Sequence, residues 1–388
     1  MKSLKEINIL HFLNDGVRST FVTLLPFIAK DLHISLSSIG FLGSAQALFG
    51  SLLALPAGFL ASRFGGFRLL AFLLLIYSAG ALSASLAPNL LFITFAFFLG
   101  AAGFGMFHTV GFSLVAKITN KRNMGKIMGN FTSIGDIGRV ALPPACVFIS
   151  LTLGWRISML TIALVGFFAF LTMQYFKPKV EIHNLEKHQK KETKREFINH
   201  VIRLLKTRRL ALTLITAIID ALASSPIYLF LPFVLLYKGI SLNQYGIIAT
   251  VFLLGSLVGK ILLGRAVDRI GNLKIFVLSE ISMAAVLILI TISSNFNLIL
   301  ILAFLLGSFT RGTTPIIQSL VSETSHKIHY DKIFAISEFF IGIAAVATVI
   351  SMGVVADKTN VLFVYYAASF LALSAIIPAF LLSLTKKN

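Results

Sequence analysis

Two copies of one short stretch decide the fold: Gly58-Phe-Leu-Ala-Ser-Arg-Phe-Gly-Gly-Phe-Arg68 and, at an offset of 206 residues, Gly264-Arg-Ala-Val-Asp-Arg-Ile-Gly-Asn-Leu-Lys274. Glycine permits close helix approach and a tight turn, an acid can cap a neighbouring helix, and basic residues favour the cytoplasmic face of a membrane. The two stretches therefore predict a pair of equivalent helix turns on the cytoplasmic face. Their candidate residues are Gly58, Arg63, Gly65 and Arg68 in the first copy, and Gly264, Asp268, Arg269 and Gly271 in the second.

The same offset relates much of the rest of the chain. Leu25-Pro26-Phe27 aligns with Leu231-Pro232-Phe233, Gly40 with Gly246, and Lys126 with Lys332. This duplication predicts two parallel halves, at 1–176 and 209–388, joined by a basic linker at 177–208. Repeats of this kind place a substrate site near the middle of the membrane, between the halves. The linker ends in a weakly amphipathic stretch containing Phe197 and Val201, which we expect to tether the halves or to lie on the membrane surface.

Hydropathy predicts an all-α polytopic membrane protein. The chain has 388 residues, is 57% hydrophobic and 13% charged, and has a mean hydropathy of +0.90. A membrane-spanning helix needs about 20 apolar residues, and twelve segments satisfy this requirement, six in each half. They run roughly over 6–30, 36–61, 68–87, 89–116, 126–150, 155–176, 209–236, 242–264, 273–293, 297–321, 332–355 and 361–384.

The distribution of basic residues explains the net charge of +19 without nucleic acid. Of the 34 Lys and Arg, 26 lie in the termini and in alternate loops, against four in the opposite loops. This asymmetry predicts both termini in the cytoplasm, and we expect the chain in a bacterial inner membrane. The single cysteine, Cys146, excludes an internal disulfide and a thiolate metal cluster. No cofactor and no metal are expected.

The paired motifs resemble the cytoplasmic motif of the major facilitator superfamily, and the resemblance covers essentially the whole chain. It implies a monomeric transporter in which the first, fourth, seventh and tenth helices line a cavity and the residues of the two motif copies act as gates. The sequence departs from the family at Ser62, where the first copy normally carries an aspartate. We therefore expect a weaker first gate, or one that rests on Arg63 and Arg68 alone.

Three further stretches resemble the fosmidomycin-resistance branch of this superfamily. They are His11-Phe-Leu-Asn-Asp15 with Leu24-Leu-Pro26, Phe107-His108, and Gly135-Asp-Ile-Gly-Arg139. Thr109 stands where that branch usually has proline. The match implies a branch of the superfamily and leaves the substrate open.

Polar residues within the apolar segments are the candidate functional residues, because charges at membrane depth are costly and usually functional. Helical rise places seven of them about 14–20 Å from the nearest cytoplasmic charge. For substrate binding the candidates are Arg18, His108, Arg139, Asp220 and Arg311; for proton coupling they are Asp15, His108, Asp136 and Asp220. Arginines pair with carboxylates or phosphonates in two-point contacts, so an anionic substrate is expected, with Arg311 facing Asp220 across helices.

Structural explanations compete with these assignments. Asp15–Arg18 and Asp136–Arg139 lie one helical turn apart and would then neutralise each other. His108 would bond a backbone carbonyl. Glu280 and Glu338 lie nearer to cytoplasmic lysines and are interpreted as half-solvated structural acids.

The function that these observations favour is a proton-coupled secondary transporter, with alternating access, for a small anionic organic solute bearing a phosphonate or carboxylate. Efflux by proton antiport is slightly favoured. Symport uptake of a carboxylate metabolite or carboxylate siderophore is the alternative, and a non-transporting membrane receptor is the alternative from another class. An intramembrane enzyme is disfavoured, since His-Glu-x-x-His and Gly-x-Ser-x-Gly are both absent from the sequence. An ATP-driven pump is excluded because the sequence contains no phosphate-binding loop.

Overall fold

A computed structural model describes residues 2–34, 36–175, 192–240 and 242–385, and within these ranges the chain is helical, without a β-strand. Eleven of the described helices are long and apolar enough to cross a membrane. These helices, together with a more polar first one, give twelve spans, as the hydropathy predicts.

The first six spans are numbered here in chain order. They comprise Lys2–Thr23 with Leu25–Asp31, Leu36–Leu52 with Ala54–Phe64, Gly66–Ser85, Leu90–Ile118, Met124–Leu153, and Trp155–Tyr175.

The seventh to twelfth spans follow the same order. They comprise Arg208–Tyr237, Leu242–Ile270, Asn272–Ile292, Phe296–Ser322, Tyr330–Lys358 and Leu362–Ser383. Short 3₁₀ turns at Lys121–Asn123 and Lys327–His329 precede the fifth and eleventh spans.

Two spans are divided into consecutive helices, each next to a proline. The first breaks at Leu24, ahead of Pro26, and the second at Leu53, ahead of Pro56. Proline lacks an N–H and clashes with the carbonyl four residues earlier, which explains both breaks. The first span also carries charged residues along its length, so its hydropathy falls below that of the other eleven.

The chain forms two compact units, and these do not coincide with the predicted halves. One unit comprises residues 1–118, 134–199 and 328–339, and the other comprises 119–133, 200–327 and 340–388. The beginnings of the fifth and eleventh spans are therefore grouped with helices of the opposite half. The boundaries of the halves and of the linker remain predictions from the repeat.

Each unit packs through small residues and apolar side chains. In the first unit, a Cβ on Gly80 would lie 2.7 Å from the backbone nitrogen of Gly100, so these helices approach closely. The core of the second unit includes fully buried Ile227, Phe252 and Leu306. Small residues at helix contacts are what lipid-embedded packing favours, because lipid provides no hydrophobic drive between helices.

Part of the predicted linker, 176–191, lies outside the described residues. Its end forms the helix Lys194–Leu205. Phe197 of this helix is buried, with its ring centroid 5.5 Å from that of Phe59 in the second span. This apolar side chain therefore packs against protein rather than against lipid.

Candidate functional site

Five ionisable side chains meet inside the first unit, from the first, fourth and fifth spans. We call His11, Asp15, His108, Asp136 and Arg139 the charge network. Asp15 lies at its centre: Arg139 Nη2 is 2.7 Å from Asp15 Oδ2, His11 Nε2 is 3.3 Å from the same oxygen, and His108 Nε2 is 3.2 Å from Oδ1. The two histidine Nε2 atoms are themselves 3.4 Å apart.

Arg139 is shared between two acids. Its Nη1 atom donates to Asp136 Oδ1 at 3.0 Å while Nη2 contacts Asp15. Asp15 is 1% exposed, whereas the side chains of Arg139 and His108 are 28% and 16% exposed. The guanidinium and one imidazole thus remain accessible from outside the cluster, although the carboxylate that neutralises them is buried.

Glycines on the fifth span make room for this arrangement. A Cβ on Gly135 would lie 2.5 Å from Asp15 Oδ2 and 2.6 Å from His11 Nε2, so any larger residue would displace the carboxylate. A Cβ on Gly16 would lie 2.7 Å from the carbonyl oxygen of Gly138. The glycine-rich sequence of this span therefore brings the first and fifth spans close enough for Asp15 to reach Arg139.

His11, Asp15 and His108 lie close enough together to raise the question of a metal site. Their ligating atoms are all within 4.8 Å of one another, a spacing that a bound metal ion would allow. However, the Arg139 guanidinium already neutralises the Asp15 carboxylate, and its positive charge opposes a dication at this position. The residues fit a network of hydrogen bonds and ion pairs better than a metal centre.

Two of the local pairings expected from spacing have different outcomes. Asp136 and Arg139 do pair within one helical turn. The expected pairing of Asp15 with Arg18 is wrong, since Asp15 pairs with Arg139 of another helix. Residues three positions apart lie on one helix face, but the close approach of the fifth span provides a better-placed guanidinium. His108 likewise contacts Asp15 rather than serving only to bond a backbone carbonyl.

A second buried polar group lies in the second unit. Asp220 of the seventh span is within hydrogen-bonding reach of Glu280 on the ninth span and Thr313 on the tenth. The expectation that Asp220 faces Arg311 is wrong. Arg311 instead holds its guanidinium carbon 5.5 Å from the ring centroid of Tyr228.

Glu280 also differs from its predicted environment. The sequence places it near Lys274 and suggests half-solvation, but its side chain is 0% exposed. The ninth span packs against the tenth and twelfth, which close over this face. The distance of a residue along its helix from a cytoplasmic charge gives its depth in the membrane. It does not show which face of the helix is covered by neighbouring helices.

The second motif copy caps a helix, as the acid in it predicts. Asp268 accepts hydrogen bonds from the backbone N–H groups of Gly125 and Lys126, both at 2.9 Å, at the start of the fifth span. Carboxylates stabilise helix N-termini through these free N–H groups and the helix dipole. Close backbone contact supports the cap, because a Cβ on Gly264 would lie 2.6 Å from the Gly125 carbonyl oxygen.

The first motif copy works differently. Ser62 only donates to the Phe59 carbonyl of its own helix. In its place, Lys117 Nζ contacts both carboxylate oxygens of Asp331, at 2.6 and 2.7 Å, and Ser113 donates to the same carboxylate at 2.5 Å. Lys117 is 7% and Asp331 1% exposed.

Arg63 and Arg68 are both exposed, and the buried ion pair at this helix end is Lys117–Asp331; that the first gate is weaker, or rests on the two arginines, stays a prediction. Sequence reasoning missed the pair Lys117–Asp331. The repeat did contain a signal: the offset of 206 that aligns Ser62 with Asp268 also aligns Gly125 with Asp331. The acid that the first motif lacks is thus present on the facing helix.

Twelve helical spans in the described chain, a duplicated sequence and a paired motif at the same helix ends define a polytopic membrane protein with two repeated halves. The family model of the Major Facilitator Superfamily matches residues 7–234 and again 213–388. The chain belongs to this superfamily.

Individual relatives match more locally. Inner membrane transport protein YdhP of Escherichia coli (strain K12) is 27% identical over 160 residues, 40% of this chain and 40% of that protein. Nitrite extrusion protein of Bacillus subtilis (strain 168) is 27% identical over 187 residues, 46% of this chain and 45% of that protein. The matches thus span less than half the length of these relatives.

Solved structures share the whole fold at low identity. The E. coli fucose:proton symporter FucP superimposes with a TM-score of 0.80 at 15% identity, covering 99% of both chains. At this identity the likeness concerns the fold.

Proposed function

We propose that this protein is a proton-coupled secondary transporter of a small anionic organic solute. The observation that carries the proposal is the position of Arg139, buried against two carboxylates yet 28% exposed. A guanidinium in this state is already neutralised, but it can exchange one carboxylate partner for another. Arginine suits this exchange because its planar fork pairs with carboxylates and phosphonates.

The exchange provides a coupling mechanism. When a substrate anion binds Arg139, the Asp15 carboxylate loses its main counter-charge and takes up a proton, directly or from His108. When the substrate leaves, Asp15 returns to Arg139 and the proton is released. Asp136 keeps Arg139 in position during the exchange. Arg311, in the other unit, is proposed separately as a substrate-binding residue because of its depth on the tenth span.

The two motifs act as gates in this scheme. Alternating access requires the contacts at their helix ends to break and re-form in each cycle. For the second motif these contacts are the Asp268 cap and the close approach of Gly264 to Gly125. For the first they are Lys117–Asp331 and the packing of Gly58 against the Asp331 carbonyl oxygen, which a Cβ would approach to 2.5 Å.

Family membership and the transport proteins among its relatives support a transporter over an enzyme. A relative named for nitrite extrusion supports an anionic substrate and efflux, as does the resemblance to the fosmidomycin-resistance branch. In the exchange at Arg139 the proton and the anion are bound together, which is a symport step and suits uptake of a carboxylate, including a carboxylate siderophore. Efflux by antiport requires instead that protonation of the charge network displaces the anion from Arg139. A receptor descended from a transporter would bind the anion without moving it.

Flux measurements on purified protein in proteoliposomes test the proposal. A ligand-stabilisation screen of phosphonates and carboxylates would first identify a substrate. We then expect an imposed pH gradient to drive its accumulation, and collapse of the gradient to stop it. In the same assay, Arg311→Lys should weaken binding by about 1–3 kcal/mol, the scale of a charged hydrogen bond. Binding without flux would indicate a receptor, and unchanged affinity in Arg311→Ala would remove Arg311 from the substrate site.

We also propose that both motifs and both termini face the cytoplasm of a bacterial inner membrane. The excess of Lys and Arg in the loops on the motif side supports this orientation. A C-terminal reporter that is active only in the periplasm should stay silent, while the same reporter placed in a predicted periplasmic loop should be active. Activity of the C-terminal fusion would reverse the orientation.

A further inference from the structure

The polar group around Asp220 lies apart in sequence and in helices from the charge network, and the proposed exchange at Arg139 makes no use of it. Its three members come from the seventh, ninth and tenth spans. Asp220 is 8% and Glu280 0% exposed. Asp220 Oδ1 and both carboxylate oxygens of Glu280 have no hydrogen-bond donor within reach, although the two carboxyl groups are within hydrogen-bonding distance of each other.

The surroundings of this pair provide little positive charge. The twelfth span, which packs on the seventh and ninth, contains no ionisable residue apart from its tyrosines. On the tenth span, the guanidinium of Arg311 lies over Tyr228, two helical turns, or about 12 Å, beyond Asp220 along the seventh span. Lys274 precedes Glu280 by about 9 Å of helical rise.

The eighth span, which also packs on both helices, has Lys260 as its buried basic residue. Arg209, the basic residue nearest to Asp220 on its own helix, donates to Glu323. Among the described residues, the polar groups that reach Asp220 are Glu280 and Thr313, and for Glu280 the group is Asp220. The pair therefore lacks a cation to balance two negative charges.

Two ionised carboxylates within hydrogen-bonding distance of each other in a buried site would repel strongly, and each would also lose its hydration. A single proton removes the repulsion between like charges and reduces the desolvation cost, because one buried charge remains instead of two. Bound to one carboxyl, it donates a hydrogen bond to the other, so that the pair carries one negative charge and each group gains a partner. Pairs of buried carboxyl groups that share a proton in this way act as acid–base centres in soluble enzymes.

We propose that Asp220 and Glu280 form a proton-binding site in which two carboxyl groups hold one exchangeable proton, separate from the charge network. The proton comes from solvent, forms an O–H bond to one carboxylate oxygen, and leaves to solvent when that bond breaks; nothing else is transferred. Thr313, whose hydroxyl donates to the Thr310 carbonyl, lies next to Asp220 on the tenth span. This inference adds a second proton site to the protein. The role of that site in coupling rests on the proposed transport function.

Infrared titration of the full-length protein in lipid nanodiscs tests the site without any substrate. We expect a carbonyl-stretch band from protonated carboxyl groups that persists above the pH at which exposed acids ionise. Glu280→Gln, Asp220→Asn and the double variant should each remove it, and the losses should be non-additive because one proton is shared. Glu338→Gln, a half-buried acid on the eleventh span, is the matched control and should leave the band in place.

Several outcomes would overturn the inference. Additive losses in the single variants would mean two independent acids. A titration of the wild-type band that shifts with sodium at constant ionic strength would mean a site for a metal cation instead. Size-exclusion profiles of the variants identify any that fail to fold, and the neutral double variant, which keeps the shape of both side chains, remains interpretable if a single one does fail.

A flux assay separates this inference from the proposed function. If the pair carries a coupled proton, Glu280→Gln should lose pH-driven accumulation of the identified substrate but retain substrate exchange at equal concentrations, which needs no net proton movement. Accumulation at the wild-type level would exclude the pair from coupling even if the infrared band is lost. Absence of flux in wild-type protein would instead contradict the proposed function while leaving the proton site intact.

Discussion

Arg139→Ala is expected to abolish transport and to lower the free energy of unfolding by about 3–5 kcal/mol, the usual cost of leaving one partner of a buried ion pair alone. The cost falls on Asp15, which is 1% exposed and would keep its charge beside two imidazoles without the guanidinium at 2.7 Å. Chemical denaturation of the detergent-solubilised protein, followed by circular dichroism, would measure the stability change.

Two further variants separate stability from function. Asp15→Asn with Arg139→Gln removes both charges of one pair, so the part of the stability loss that comes from Asp15 should return, while the part from Asp136 remains and transport stays absent. Arg139→Lys keeps the charge but loses the planar fork, and it should bind substrate more weakly than the wild type.

Arg156→Ala is the matched control, because it also removes an arginine paired with an aspartate in the same unit. Arg156 pairs with Asp31 at 42% and 46% exposure, and exposed pairs of this kind contribute about 0–1 kcal/mol. Equal destabilisation by Arg139→Ala and Arg156→Ala would contradict the assigned burial. Undiminished transport in Arg139→Ala would remove the main support for the anion site.

The fold was predictable because membrane spans depend on local composition and the repeat depends on alignment. Boundaries agree within a few residues for most spans. The first span is the least apolar of the twelve. The residues that lower its hydropathy, among them His11, Asp15 and Arg18, are also its candidate functional residues.

Side-chain partners were harder to predict, because they depend on which helix faces approach each other. Depth placed Asp15, His108 and Arg139 at one level, and the structure brings these three together. The same argument paired Asp220 with Arg311, which have comparable depth but different neighbours. The partner of Asp220 is Glu280, whose burial results from the tenth and twelfth spans, further along the chain.

The role of glycine was only partly readable from the sequence. Gly135 and Gly138 suggested close packing of the fifth span, but sequence could not say against which helix. In the structure that partner is the first span, at the height of Asp15. A substitution at Gly135 would therefore displace side chains of the charge network as well as disturb the packing of the first span against the fifth.

Lys117→Met is expected to open the helix ends near the first motif and to slow or stop the transport cycle. The substitution preserves much of the side-chain volume but removes the ammonium group from the buried Asp331 carboxylate, to which Ser113 still donates at 2.5 Å. As with Arg139, removing one partner of a buried ion pair costs about 3–5 kcal/mol. Here the cost can be relieved without unfolding, because movement of the eleventh span would let water reach Asp331.

Spin labels on Phe64→Cys and Ile328→Cys, both exposed and at the ends of the second and eleventh spans, report this movement. The background requires only Cys146→Ser, since the chain has one cysteine. Pulsed electron resonance should show a longer and broader distance distribution in Lys117→Met than in wild type.

Arg68→Met distinguishes this mechanism from the one that the motif alone suggests. Arg68 belongs to the first motif but is exposed, so its loss should leave the distance unchanged. Lys117→Met with Asp331→Asn removes the uncompensated charge and should return the distance towards the wild-type value, although a gate without its ion pair should close less completely. If Arg68→Met opened the helix ends and Lys117→Met did not, the motif arginines would form the gate and Lys117–Asp331 would be only a structural pair. A gate that contains Asp331 also makes a prediction for Ser62→Asp. The new carboxylate should add a second negative charge near the start of the eleventh span. In the Lys117→Met background it should therefore open the gate further rather than close it.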